Sequence, residues 1–343
     1  MNSVILALAF VIPSLVQSLL SPTYTATRPN LSLFSIGDAC GLTYDQPVFR
    51  PPAEWRSLIL QVTEGCSWNR CTFCEMYQTK QFRVKSLEVL EEELIQVVAA
   101  GGAPHVRDVF LADGDAMTLP TNQLVSILQI INKHLPRVRR ISSYCLPRNI
   151  RYKSSDDLKA LREHNLSTVY IGCESGHDQV LQGVLKGETY QSSLDALDKL
   201  KEANIKRSVM ILLGLGGTAL SKPHAIDSAR LVSAAQPEYL SVLTTSFPRG
   251  KQRVVDGFQD LGIVFEELAP RQVLAELECF LDNVDIPASG TTIFRSDHAS
   301  NYFVLKGRLG RDKERMLEEL RNVLAAPESE DDYNLRPEWA RGL

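Results

Sequence analysis

Between about Glu54 and Thr245 six apolar or β-branched runs, "SLILQVT", "VRDVFLA", "RRISSYCL", "STVYIGC", "RSVMILLG" and "YLSVLTT", alternate with amphipathic stretches. Those stretches are Ser86 to Ala100, Thr121 to His134, Ser155 to His164, His177 to Ala203 and Lys222 to Ala235. A strand buried on both faces needs a nearly unbroken apolar run, and a helix packed on it needs one apolar stripe. The alternation therefore predicts an α/β fold, with a parallel sheet and helices outside, as either an incomplete barrel or a doubly wound sheet. In both, chemistry gathers at the carboxyl ends of the strands. With 343 residues, of which 44% are hydrophobic, the chain can bury one large core or two ordinary ones.

Right after the first run comes "EGCSWNRCTFCEMY", residues 64 to 77, with Cys66, Cys71 and Cys74 inside nine positions. This loop is expected at the mouth of the fold. The other four of the seven cysteines, Cys40, Cys145, Cys173 and Cys279, are isolated, so reduced thiols are expected and a disulfide framework is not. A structural zinc site closes with four Cys or His ligands, and an iron–sulfur cube that only carries electrons takes four thiolates. Three thiolates on a cube leave one iron open to a small molecule. The net charge of −4 supplies no overall attraction to nucleic acid or an anionic membrane, and no stable partner of either kind is expected.

The loop C-x4-C-x2-C, with Phe73 before its last cysteine, resembles the cluster loop of the radical S-adenosylmethionine enzymes, whose usual spacing is C-x3-C-x2-C. "FLADGDAMTLP" is similar to that family's Gly-Gly-Glu stretch, which binds the methionine amino group, and here reads Asp113-Gly114-Asp115. "VYIGCESGHDQVLQGVLKGET" resembles the stretch that offers a carboxylate, here Glu174, to the ribose hydroxyls, with Ser175 nearby. "VMILLGLGG", ending in the turn at Gly214, looks like the segment whose backbone lies against adenine. "TTIFRSDHASNYFVLKGRLGRDKERML" and "LRPEWARGL" look like a stand-alone bacterial-type group of the family.

The resemblance implies a partial (β/α)6 barrel at residues 50–250, and an α/β extension at 251–343 that closes it. It implies a 4Fe-4S cluster on Cys66, Cys71 and Cys74, and S-adenosylmethionine held by Phe73, Tyr77, Asp113, Gly114, Asp115, Glu174 and Gly214. The implied reaction is reductive cleavage of that cofactor to a radical that takes hydrogen from a small-molecule substrate, with ferredoxin or flavodoxin as electron donor. His298, Tyr144 and Arg295 are the candidate catalytic residues, with Arg148, Asn149 and Asn301 near them. No second cysteine set follows the trio, which sets methylthiotransferases and auxiliary-cluster enzymes aside.

Plainer readings stand beside these. Asp113 and Asp115 could close an Asx-type loop, Glu174 could cap a helix starting near His177, and the "FRSDHASN" loop could be purely structural. The whole chain could be a non-catalytic iron–sulfur or zinc scaffold with a decayed cofactor site. "GLGGTA" matches a dinucleotide fingerprint, but no helix start of the right kind is expected after it. Residues 1–35, with an apolar run from Val4 to Leu20 and a hydroxyl-rich stretch after it, read as a targeting leader. An organelle is expected, a plastid ahead of a mitochondrion; the alternative is a cytoplasmic protein with an N-terminal extension.

Overall fold

The computed structural model describes residues 36–327 and 335–341, so the expected leader lies outside the described residues. Six parallel strands follow in sequence: β1 Leu58–Gln61, then, after the short β2 Thr63–Glu64 and β3 Arg83–Val84, β4 Asp108–Ala112, β5 Arg140–Cys145, β6 Leu166–Glu174, β7 Lys206–Leu213 and β8 Tyr239–Thr244. A seventh parallel strand, β9 Ile293–Arg295, pairs with β8, and β10 Lys306–Arg308 runs back antiparallel to it. Spatial order is chain order throughout, β1-β4-β5-β6-β7-β8-β9-β10. A doubly wound sheet reverses its order at a switch point. This one never does, which decides for an open barrel wall.

Side-chain alternation along the strands sorts the two faces. Leu58, Leu60, Val109 and Leu111 point outward into the main core with Leu90, Leu94 and Val97 of the first crossover helix, Leu87–Ala99. Ile59, Phe110 and Tyr170 point inward, with Tyr144, Met210 and, from the N-terminal segment, Tyr44 and Val48 against them. The period of two thus builds helix contacts from one set and a filled lumen from the other. At the amino ends of the strands the buried Glu54 carboxylate receives Arg140 Nη1 at 2.8 Å, Arg140 Nη2 at 3.1 Å and the Tyr170 hydroxyl at 2.6 Å. Buried charge demands such partners, and the group plugs the end away from the cysteines.

Two expected helices differ from the sequence reading. The stretch from His177 to Ala203 is two helices, Asp178–Gly183 and Tyr190–Glu202. Leu185 and Gly187 take left-handed φ of 53° and 69° between them, and Thr189 caps the second helix by accepting from the Ser192 amide. The helix expected from Lys222 starts at Gly217, immediately after the Gly214–Gly216 turn. Pro223 lies inside its second turn, which makes a later start look natural from sequence alone.

Beyond β8, helix Gln252–Gln259 packs on Asp178–Gly183, and Pro270–Asn283 lies between Gly217–Ala235 and Leu309–Ala325. Among the described residues no helix is long and apolar enough to cross a membrane.

Candidate functional site

β2 and β3 form a two-stranded antiparallel ladder, Thr63 opposite Val84 and Glu64 opposite Arg83. Residues 65–82 are therefore an excursion pinned at its base, directly beyond β1 at the carboxyl end of the sheet. The loop is pinned at its rim too: Trp68 Nε1 donates to the Leu185 carbonyl at 2.9 Å, and the Arg148 guanidinium lies 3.5 Å from the Trp68 ring centroid. Arg148 is itself locked, donating to Glu188 Oε1 at 2.9 Å and to the Lys186 and Gly187 carbonyls at 3.0 and 2.7 Å.

Burial pushes all three thiols up, Cys71 to about 12. Amides of Asn69 and Trp68 approach the Cys66 sulfur, and the Met76 amide approaches that of Cys74; these donors favour the thiolate and partly offset burial. Cys71 feels the charge of both Cys74 and Cys66, so the three lie within electrostatic reach of one another. Among the described residues no three Cys, His, Asp or Glu side chains converge on a point that would hold one metal ion. In a cube each thiolate binds its own iron, so the sulfurs stand further apart than around a single ion. Three neighbouring thiols on one loop match the donors of a cube, each sulfur to its own iron.

At the end of β4 the two predicted aspartates have different surroundings. Asp113 is fully buried, with Oδ2 2.7 Å from Lys80 Nζ and 3.3 Å from the Gly65 amide. Its charge is committed to that lysine. Asp115 is equally buried, yet its carboxylate takes only the Ser67 hydroxyl and amide and the Asn149 side chain, with Arg148 further off. Burial holds its pKa up at about 6; among the described residues its Oδ1, like that of Asp113, has no hydrogen-bond partner, but unlike Asp113 it is in no ion pair. A buried carboxylate oxygen left bare is a place for a cationic group. Between them, a Cβ on Gly114 would stand 2.6 Å from the Tyr77 ring and 3.0 Å from the Gly65 carbonyl oxygen, so only glycine lets β4 approach the cysteine loop. Tyr77 is buried beside Asp113, and burial followed by that carboxylate raises its phenol pKa.

Glu174 ends β6 at a left-handed φ of 65°. It does not cap the following helix, whose N-cap is His177. Its Oε1 instead accepts from the buried Lys186 ammonium at 2.9 Å. Burial alone would lower the lysine's pKa; the Glu174 carboxylate and the nearby thiols override it and keep the group charged. The same ammonium favours the thiolate forms of Cys66, Cys71 and Cys74.

Behind these residues runs a buried polar chain. The Ser175 hydroxyl meets His224 Nδ1 at 2.8 Å, and His224 Nε2 meets the Leu212 carbonyl at 3.0 Å, which makes Nε2 the protonated nitrogen. The Gly214 amide donates to Glu276 Oε1 at 2.7 Å, and the Ser221 hydroxyl donates to Oε2 at 2.6 Å. Burial raises Glu276 to about 7 and lowers His224 to about 4, so both favour their neutral forms. Although a helix does follow the "GLGG" turn, the Glu276 carboxyl occupies its first amide, where a dinucleotide phosphate would compete.

The remaining predicted residues are dispersed. Phe73 is half-buried against Val180, Val184, Leu215, Val254 and Phe258. Tyr144 lies in the lumen, 5.0 Å from Phe110 and 6.3 Å from Tyr170 by ring centroids. Arg295 is exposed on β9 opposite Lys306. The His298 loop is tied to the carboxyl end of β8: Ser300 accepts from the Thr244 amide at 3.2 Å, and Asn301 bonds Thr244 Oγ1 and the Val242 carbonyl. His298 Nδ1 meets the Ser300 hydroxyl at 2.8 Å. Asn301, buried and fully bonded, is a structural post, and Asn149 caps its own helix through the Leu146 amide. Sequence reasoning passed over Lys80, Lys186, His224, Arg253 and Glu276. Only Lys186 carried a signal, as the one lysine inside the Glu174 motif.

The fold and site define a class, an open parallel barrel with a three-thiol loop beyond its first strand. Residues 60–228 match the sequence model of the Radical SAM superfamily, and this stretch is a domain of that superfamily. The chain is 23% identical over 175 residues to the heme chaperone HemW of Bacillus subtilis, covering 50% of this chain and 46% of that protein. It is 25% identical over 156 residues to the 4′-phospho-dehydrooxetanocin synthase of Priestia megaterium, covering 41% and 21%. The chain thus spans less than half the length of these curated relatives. Among solved structures it resembles coproporphyrinogen III oxidase from Escherichia coli, described as a radical SAM enzyme, with a TM-score of 0.49, 16% identity, and coverage of 72% of this chain and 55% of that one.

Proposed function

We propose that this protein is a radical S-adenosylmethionine enzyme that uses one 4Fe-4S cluster held by Cys66, Cys71 and Cys74. The observation that carries this reading is the pairing of three thiols within electrostatic reach of one another with the buried Asp115 carboxylate of the adjoining strand end, which is in no ion pair among the described residues. When bound, such a cluster supplies an electron that cleaves S-adenosylmethionine, yielding methionine and a radical that takes a hydrogen atom from substrate.

The chain's own residues bind, orient and exclude. Asp115 receives the methionine ammonium, and Gly114 keeps that strand end close to the cysteine loop. Lys186 supplies positive charge beside thiolates and carboxylates. Glu174 takes a ribose hydroxyl, and the Gly214–Gly217 turn, held by Glu276, presents backbone to adenine. The aromatic lumen around Tyr144 keeps water out, and substrate enters from the carboxyl end, where the loops of Arg295 and His298 lie.

A small-molecule substrate, a low-potential donor such as ferredoxin or flavodoxin, and an organellar setting complete the proposal. The test is anaerobic: reconstituted, reduced protein with S-adenosylmethionine should form 5′-deoxyadenosine, and a deuterated cell extract should pass deuterium into it. Stable binding of iron without any 5′-deoxyadenosine would favour the scaffold reading.

A further inference from the structure

The cysteine loop is held by a part of the chain that lies beyond residues 60–228. Arg253, on helix Gln252–Gln259, reaches over the loop: Nη2 donates to the Cys71 carbonyl at 3.1 Å, and Nη1 faces the Cys74 carbonyl at 3.4 Å. These carbonyls bound the C-x2-C turn, which the Cys74 amide closes on the Cys71 carbonyl at 3.3 Å. One residue on, the Glu75 carboxylate accepts from the Arg249 amide at 3.1 Å. Phe73, between the two cysteines, packs with Val254 and Phe258 of the same helix. A Cβ on Gly257 would overlap the Gly183 carbonyl oxygen, so the helix rests directly on the turn whose Val184 carbonyl takes the Thr72 amide at 2.9 Å. Polar and apolar contacts to residues 71–75 thus come from one short segment.

We propose that Arg253 is a positioning residue of the cluster loop, an inference that rests on the cluster reading above. A guanidinium is a planar fork, and it can hold two carbonyls at a set separation where a single ammonium cannot. By drawing both carbonyls outward it fixes how the Cys71 and Cys74 side chains leave the turn, and so the spacing of two of the three sulfurs. Without it the turn is free to open, exposing Cys74 and loosening whatever the thiols hold.

The experiment compares the full chain with Arg253→Gln, Arg253→Lys and Lys251→Gln; Lys251 is exposed and paired with Glu267 at 3.3 Å. In iron-free protein, alkylation of Cys71 and Cys74 by iodoacetamide is followed by mass spectrometry. In reconstituted protein, iron release to a chelator and the electron paramagnetic resonance line shape of the reduced cluster are recorded. Losing two charge-assisted bonds should speed both alkylation and iron release by about tenfold in Arg253→Gln and alter the line shape. Arg253→Lys should fall between, and Lys251→Gln should match the parent, with melting temperatures unchanged throughout. Parental rates in Arg253→Gln, full rescue by lysine, an equal effect of Lys251→Gln, or a parallel fall in melting temperature would each overturn the assignment. A parent that takes up no cube while Cys74 alkylation still follows this order would refute the cluster reading and support the hold of Arg253 on the loop.

Discussion

Lys186 Nζ lies 2.9 Å from Glu174 Oε1, the lysine fully enclosed and the glutamate nearly so, and the ammonium's field extends to all three cysteines of the loop. The pair joins the end of β6 to a turn twelve residues later, so the Glu174 motif and the thiol loop share one counter-charge. Neither member can be removed alone without stranding the other.

Lys186→Met should therefore destabilise iron-free protein by about 3–5 kcal/mol, because it leaves a buried carboxylate unpaired. The double variant Lys186→Met with Glu174→Leu should recover most of that. Urea unfolding of the four proteins completes the cycle, and a single variant as stable as the parent would contradict the pairing.

Cys71→Ala should reduce iron after anaerobic reconstitution to background, whereas Cys279→Ala should keep about four irons per chain. Burial holds Cys71 at about 12 and raises Cys66 and Cys74, so the thiols are protonated at neutral pH before assembly. Assembly must release those protons. Its rate, followed by absorbance, should rise between about pH 7 and 9, and a rate independent of pH would argue against the buried thiols as ligands.

Asp115→Ala removes a carboxylate with no cation of its own, and S-adenosylmethionine should then bind roughly 10 to 100 times more weakly. Asp113→Ala should act mainly on stability, by about 3–5 kcal/mol, because the buried Lys80 ammonium is left with the Asp45 carbonyl at 2.6 Å and, as its nearest carboxylate, the half-exposed Asp45 at 3.4 Å. His298→Ala should leave the affinity nearly unchanged and remove turnover of substrate. Calorimetric titration of the three anaerobic variants checks this; the largest affinity loss in His298→Ala would reverse the roles.

Burial raises the Glu276 carboxyl from its ordinary 4.5 to about 7, so between those pH values the folded state holds the proton more tightly than the unfolded chain. Stability from this group is greatest below about pH 4.5 and falls as pH rises toward 7, by a few kcal/mol in all. His224, lowered to about 4, acts oppositely: its contribution rises with pH between about 4 and 6.5. Glu276→Gln should remove the falling component alone, which urea unfolding at pH 5 and pH 8 would reveal as a smaller difference for a decline on the alkaline side.

Much of the barrel was legible because its signals are local. A run such as "VRDVFLA" is buried on both faces wherever it sits in the wall, and six such runs with helices between leave few topologies. The choice between barrel and doubly wound sheet was not legible, since it depends on which strands pair. Helix limits failed where a tertiary contact overrode propensity: the break at Leu185 to Gly187 exists so that Lys186 can turn inward to Glu174.

The cysteine trio, the Asp113-Gly114-Asp115 strand end and the Glu174 motif were all visible as residue types at a spacing. Their charges were not. Asp113 and Asp115 stand two positions apart in one motif, yet Lys80 is ion-paired with the first, while the second feels Arg148 only from further off. By itself the sequence determined the strand order along the chain and which thiols share a loop, because periodicity and spacing are properties of neighbouring residues. Only the tertiary structure decided which carboxylate is ion-paired, which glutamate fills the Gly214 turn from 62 residues away, and which arginine holds the Cys71 carbonyl from 182 residues away. Those are pairings of buried charges and dipoles, and their partners are set by how the chain closes on itself.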